Sequence, residues 1–183
     1  LLVDGERMNE TPSIDRDMAM IFKNGKLYPQ MNIYDNLAFG LKLKELPIGE
    51  IDARIAEVTQ VLNIGHLLDK MTEDLDEKER ALVVLGRAIV KKPKVFLLDE
   101  PFSSLSKELK KEMQELLWSL YEKMQITVVY VTHNSEDIRH TDTRVAVMND
   151  GSVQQIGTIG ELYDKPATPY VSEFLGVPAE EVC

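Results

Sequence analysis

Two places in this sequence put groups suited to phosphate chemistry where a strand stops. Val95-Phe96-Leu97-Leu98 is an apolar run fit for a buried strand, and it ends in Asp99-Glu100-Pro101. Ile126–Val131 is a second apolar, β-branched run, and it ends in Thr132-His133. In α/β sheets, ligands gather beyond the carboxyl ends of parallel strands. There Asp99 can hold a Mg²⁺-bound water, Glu100 can polarise an attacking water and His133 can hydrogen-bond a terminal phosphate, a set suited to hydrolysing a phosphate ester or anhydride. The same residues admit a plainer reading. The first strand closes in an acidic turn, with Pro101 barring continuation and Ser103 starting a cap, and His133 is satisfied by nearby backbone groups.

The elements that would position these groups follow from periodicity. Ile51, Ile55, Val58 and Leu62 recur at helical spacing and predict a helix within Glu50–Leu68. A second helix is expected from Glu77 to Lys91, and a third from Ser106 to Lys123 with Leu109, Met113, Leu116 and Leu120 turned inward. Residues 1–22 read as short strands around a polar loop, with Met18–Phe22 the clearest, and Lys23–Asn36 reads as irregular. Ile126–Val131 has the character of a central parallel strand. Arg144–Met148 and Ser152–Ile156 flank Asn149-Asp150-Gly151, a hairpin signal. Strands alternating with helices predict an α/β fold.

At 183 residues and 44% hydrophobic content, the chain suits one globular domain. Its formal charge of −10 opposes nonspecific attraction to nucleic acid or an anionic membrane, so no nucleic-acid partner is expected. The longest apolar runs fall far short of the roughly 20 residues a spanning helix needs, and no secretory leader is visible. The single cysteine, Cys183, excludes an internal disulfide and fits a reducing compartment. The opening Leu1-Leu2-Val3-Asp4-Gly5 lacks an initiator Met and reads as a strand entering a turn, as expected of a piece of something longer.

From about residue 1 to Gly176, the chain resembles the ATP-binding subunit of ABC transporters, most closely the carbohydrate-import type. The resemblance rests on Leu27-Tyr28-Pro29, Asp35-Asn36-Leu37-Ala38-Phe39, Gly86-Arg87-Ala88-Ile89-Val90, Val95–Pro101, Tyr130-Val131-Thr132-His133, Arg144–Met148 and Tyr163-Asp164-Lys165-Pro166. It implies a P-loop NTPase-like parallel sheet with a helical subdomain, incomplete on its N-terminal side. The expected division is 1–39 as partial core strands and glutamine-loop region, 40–92 as helical subdomain, and 93–183 as core. It also implies that the strand before Asp99 is a Walker B strand with Asp99 on the metal side, that Glu100 is the catalytic carboxylate and His133 the switch histidine, and that ATP and Mg²⁺ are the cofactors. Membrane-spanning subunits and a second ATP-binding subunit are the implied partners, at the cytoplasmic face of the membrane. Leu27–Asn36 would lie near the groove that accepts a coupling helix.

Several positions depart from that pattern. No G-x-x-x-x-G-K-[ST] loop occurs in the 183 residues. Where the resemblance places a glutamine after Phe22, the chain has Lys23, whose ammonium cannot ligate a cation; it reads either as a sign of lost hydrolysis or as an exposed lysine. The signature segment corresponds to Leu75-Asp76-Glu77-Lys78-Glu79, in which Asp76 and Glu79 have capping-box spacing, so the helix start is expected to be self-capped rather than phosphate-binding. Where an aspartate follows Ser-x-Leu, the chain has Ser106, a good N-cap. Ile126–Val131 and Arg144–Met148 are expected either to pair directly or to receive a strand from a partner, including a second copy. The function these residues imply is that of a truncated or degenerate ATP-binding subunit, from a family that hydrolyses ATP to import solutes such as sugars, and unable to bind or hydrolyse ATP alone. The alternatives are a non-catalytic assembly or binding module, or an engineered derivative.

Overall fold

A computed structural model describes residues 1–23, 25–124, 126–138 and 143–177, so Cys183 lies outside the described residues. The chain divides into two compact units, Leu1–Val131 and Thr132–Cys183.

The first unit opens with a hairpin, β1 (Leu2–Val3) and β2 (Glu6–Arg7). Its turn residues Asp4 and Gly5 both have positive φ, the geometry a two-residue hairpin turn requires. A parallel sheet follows in the order β3 (Met18–Ile21), β4 (Val95–Asp99), β5 (Thr127–Val131). Three helices lie between β3 and β4: α1 (Ile33–Leu43), α2 (Ile48–Leu62) and α3 (Glu77–Ile89). One helix, α4 (Lys107–Met124), joins β4 to β5. Phe96 and Leu98 of β4 are buried in one core with Leu37 and Leu41 of α1, Ile51 and Ile55 of α2, Val83 and Leu85 of α3, and Met113 and Leu117 of α4. Burying each such side chain contributes about 2 kcal/mol.

Three expectations change here. First, residues 33–36, read as part of an irregular stretch, begin helix α1. Asn32 caps it, accepting the Asp35 N–H at 2.8 Å. The buried Asn36 carboxamide accepts the Tyr28 N–H at 2.8 Å and donates to the carbonyls of Tyr28, Met31 and Asn32 at 3.0–3.1 Å. One side chain thus holds the preceding loop on the helix. Second, α2 stops at Leu62, where Asn63 takes the left-handed conformation and closes the helix. Third, β5 is the end strand of its sheet, not a central one, and Val129 and Val131 are 46% and 51% exposed on its uncovered face. On α4 the buried stripe is Met113, Leu117 and Leu120, with Leu109 and Leu116 at its margin.

The second unit holds β6 (Arg144–Asn149) and β7 (Ser152–Thr158), an antiparallel pair closed by Asp150-Gly151 as the turn signal predicts. β6 pairs with β7 in a two-stranded sheet of the second unit, and β5 belongs to the three-stranded sheet of the first. Helices α5 (Ile159–Asp164) and α6 (Pro169–Leu175) supply Leu162, Val171 and Leu175 to a small core with Val147. The Gln155 carboxamide clips the following loop, donating to the Lys165 carbonyl at 2.9 Å and accepting the Ala167 N–H at 2.8 Å. No helix among the described residues is long and apolar enough to cross a membrane.

Candidate functional site

Asp99 closes β4 opposite Val131 of β5, as the residue pattern predicts for the end of a buried strand. Glu100 adds one more ladder bond, donating its N–H to the Val131 carbonyl at 3.0 Å. It then turns the chain with φ of +46°, a conformation costing a non-glycine residue about 1–2 kcal/mol. Its carbonyl accepts the Ser103 N–H at 3.2 Å and the Ser103 hydroxyl at 3.1 Å. The acidic turn and the strand-end acid pair are therefore one structure.

The register of β3 on β4 decides what faces Glu100. Ile21 lies opposite Leu98, so Lys23 and Glu100 each follow that pair by two residues. The Lys23 ammonium donates to Glu100 Oε2 at 2.8 Å. Glu100 keeps 21% of its side chain exposed and Lys23 keeps 56%. The lysine is thus exposed, yet it is engaged with the carboxylate that would act on a water.

At the start of α3, Leu75 is buried and Asp76 caps the helix. Asp76 Oδ1 accepts the Glu79 N–H at 2.7 Å, and Glu79 Oε2 accepts the Asp76 N–H at 3.0 Å, the reciprocal arrangement its spacing predicts. Lys70 reaches Glu79 at 3.0 Å, and Lys78 pairs with Glu112. The Asp76 N–H first, and Lys70 second, hold the Glu79 carboxyl below its usual range. Glu77 is exposed. It and Arg80 share a cleft of about 700 Å³ with Pro101, Phe102, Ser104 and Leu105, so the α3 start and the segment after the acid pair come together. Ser106 accepts the Leu109 N–H at 3.4 Å, a long version of the expected cap.

His133 lies in the second unit and is exposed. Beside it the Thr132 hydroxyl donates to Asp137 at 2.7 Å and accepts the Asn134 N–H at 3.0 Å, a local turn that sets the backbone on either side of the histidine. Among the described residues, no group of three or more His, Cys, Asp or Glu side chains is arranged to hold a metal ion.

A groove of about 660 Å³ on the first unit is lined by β3, α1 and α3 and includes Tyr28, within the Leu27–Asn36 stretch expected to lie near a groove. Arg87 is half-buried there with its guanidinium 5.2 Å from the centre of the Tyr28 ring, and Tyr28 packs on Phe39 at 4.7 Å. The Lys91 stem crosses α1 at Gly40, where an added Cβ would meet Lys91 Cε at 2.7 Å. The available signals were a glycine inside a helix and two cations four residues apart.

A family model described as ABC transporter matches residues 1–103. The trehalose/maltose import ATP-binding protein MalK of Thermococcus litoralis is 44% identical over 178 residues, covering 97% of this chain and 48% of MalK. The oligosaccharides import ATP-binding protein MsmX of Bacillus subtilis is 42% identical over 177 residues, again 97% of this chain and 48% of the relative. The chain thus spans about half the length of the curated relatives it matches. Among solved structures, cbiO1 from Clostridium perfringens, part of the ABC transporter complex cbiONQ, matches with a TM-score of 0.78 at 26% identity, covering 88% of this chain and 66% of that one. With the family match extending over more than half of its residues and the parallel sheet shared with a solved member, the chain belongs to the ABC transporter family and is of its ATP-binding type.

Proposed function

We propose that this chain is a degenerate ATP-binding domain of a carbohydrate-import type transporter, one that does not bind or turn over ATP by itself and acts within an assembly. The observation that carries this reading is the 2.8 Å ion pair between Lys23 and Glu100. An ammonium on the carboxylate opposes both its role as a base and the approach of a divalent cation. The groups that would meet ATP and Mg²⁺ do not fit them in this form. Glu100 is engaged by Lys23, and the first-turn amide of α3 at Glu79 is engaged by Asp76. The partners this reading calls for are membrane-spanning subunits and a second ATP-binding subunit, at the cytoplasmic face of the membrane. The relatives named for trehalose/maltose and oligosaccharide import support the sugar-import side of it.

Phosphate release tests the proposal. The chain incubated with Mg-ATP is expected to release phosphate at the background rate, with Glu100→Gln indistinguishable from wild type. Steady turnover abolished by Glu100→Gln would overturn it.

A second reading, a non-catalytic assembly module, is favoured by the groove beside Tyr28, Phe39 and Arg87, a ready docking surface for a partner segment. Co-purification with a transporter partner that survives Glu100→Gln would support it.

A further inference from the structure

We propose that the cleft between the start of α3, the 25–29 segment and the turn after the acid pair binds a small organic acid, its apolar body against Phe102 and Leu105 and its carboxylate held by Lys26 and Arg80. The site is separate from the Lys23–Glu100 pair, and the inference does not rest on the fate of ATP there.

Size and lining come first. The cleft holds about 700 Å³, within the range of about 300–1,000 Å³ that small-molecule sites occupy. Leu27 and Phe102 are buried in its walls, and Ala81, Val84, Pro101 and Leu105 are half-buried there. Gly25 sets one wall: an added Cβ would lie 2.7 Å from Val84 Cγ1, so the loop comes this close to α3 because Gly25 has no side chain. Against these walls the cleft offers the hydroxyls of Thr72 and Ser104 and three charged groups. A peptide backbone would leave most of its N–H and C=O groups unpaired there, whereas an acid with an apolar body needs partners at one end only.

Charge identifies the polar end. The chain carries 31 acidic and 21 basic residues, yet the charged groups lining the cleft are two cations, Lys26 and Arg80, and one carboxylate, Glu77. The Arg80 guanidinium is set in place by donating to the Thr72 carbonyl at 2.8 Å, which leaves its other N–H groups for a ligand. Among the described residues, none of the three makes an ion pair within 4.0 Å. Two cations against one carboxylate favour an anion, and a guanidinium binds a carboxylate through two parallel hydrogen bonds. Glu77 repels that anion, so Lys26 and Arg80 strengthen binding and Glu77 weakens it.

Equilibrium dialysis of the 183-residue chain against naphthoate and its uncharged isostere naphthamide tests the proposal. Naphthoate is expected to bind about tenfold more tightly than naphthamide, a preference that shrinks at high salt. Arg80→Gln and Lys26→Gln are each expected to weaken naphthoate about threefold, and Glu77→Gln to tighten it about twofold. All three positions are exposed, and the opposite sign at Glu77 separates a ligand contact from a loss of fold. Millimolar acetate, a carboxylate with no apolar body, is expected to leave naphthoate in place. Equal affinity for naphthoate and naphthamide would overturn the carboxylate assignment, and displacement by acetate would overturn the apolar half of the site. Unchanged naphthoate affinity in all three variants would overturn its placement in this cleft, and binding of neither compound at millimolar concentration would overturn the site altogether. Sedimentation velocity is expected to show the same species with and without naphthoate. A dimer that naphthoate dissociates would make a second copy the occupant and overturn the small-acid assignment.

Discussion

Lys23 and Glu100 stand side by side because β3 and β4 are parallel neighbours in a register that pairs Ile21 with Leu98, and the ammonium closes on the carboxylate at 2.8 Å. Two residues separated by most of a subdomain in sequence thus occupy one spot at the edge of the sheet. The pair joins the residue the family resemblance marks as catalytic to a residue that departs from the family pattern.

Removing the pair should change stability little. Lys23 is more than half exposed, and an ion pair of that kind contributes about 0–1 kcal/mol. Lys23→Gln is therefore expected to lower the melting temperature by less than about 4 °C in a thermal scan. A much larger drop would mean that the pair holds the strand-end turn in place.

The buried Asn36 is expected to matter far more. Its carboxamide makes four hydrogen bonds to the backbone of residues 28–32, and Ala would leave those groups short of partners in the core. Asn36→Ala should cost about 3 kcal/mol in urea unfolding. A loss below about 1 kcal/mol would show that water can replace the amide.

Acid should loosen the start of α3. The Glu79 carboxyl is held below its usual value of 4.5 by the Asp76 N–H and Lys70. The unfolded chain therefore takes up this proton first. The stabilisation from Glu79 is present above 4.5 and is lost as pH falls through the lower folded value. Glu79→Gln should flatten the decline of the urea midpoint in this acid range. An unchanged slope would place the acid sensitivity elsewhere.

Gly40 lies inside α1, where Ala is favoured by about 1 kcal/mol. Its added Cβ would meet the flexible end of Lys91 rather than backbone. Gly40→Ala is expected to raise stability by up to about 1 kcal/mol in urea unfolding as the Lys91 side chain swings aside. A destabilised variant would mean that the Lys91 stem cannot yield.

Much of this molecule is readable from local signals. Apolar runs ending in Asp99 and Val131, the Asp76/Glu79 spacing and the Asp150-Gly151 turn each depend on neighbours in sequence, and each forms as expected. Helix α1 was hidden because Tyr28-Pro29 and Gly25 suggest a loop, while the Asn32 cap and the Asn36 anchor act through a tertiary contact with that loop. The end position of β5 depends on which strands share its sheet, and composition alone does not report that. The basic groove needed three elements brought together before Lys44, Arg87 and Lys91 could be recognised as one cluster.

Calorimetric titration of Mg-ATP into the 183-residue chain tests the central claim most directly. No binding heat is expected up to about millimolar nucleotide, where a dissociation constant would already correspond to only about −4 kcal/mol. A saturable isotherm with a micromolar dissociation constant would contradict the account, because the chain would then hold the nucleotide with Lys23 on Glu100 and Asp76 on the α3 cap.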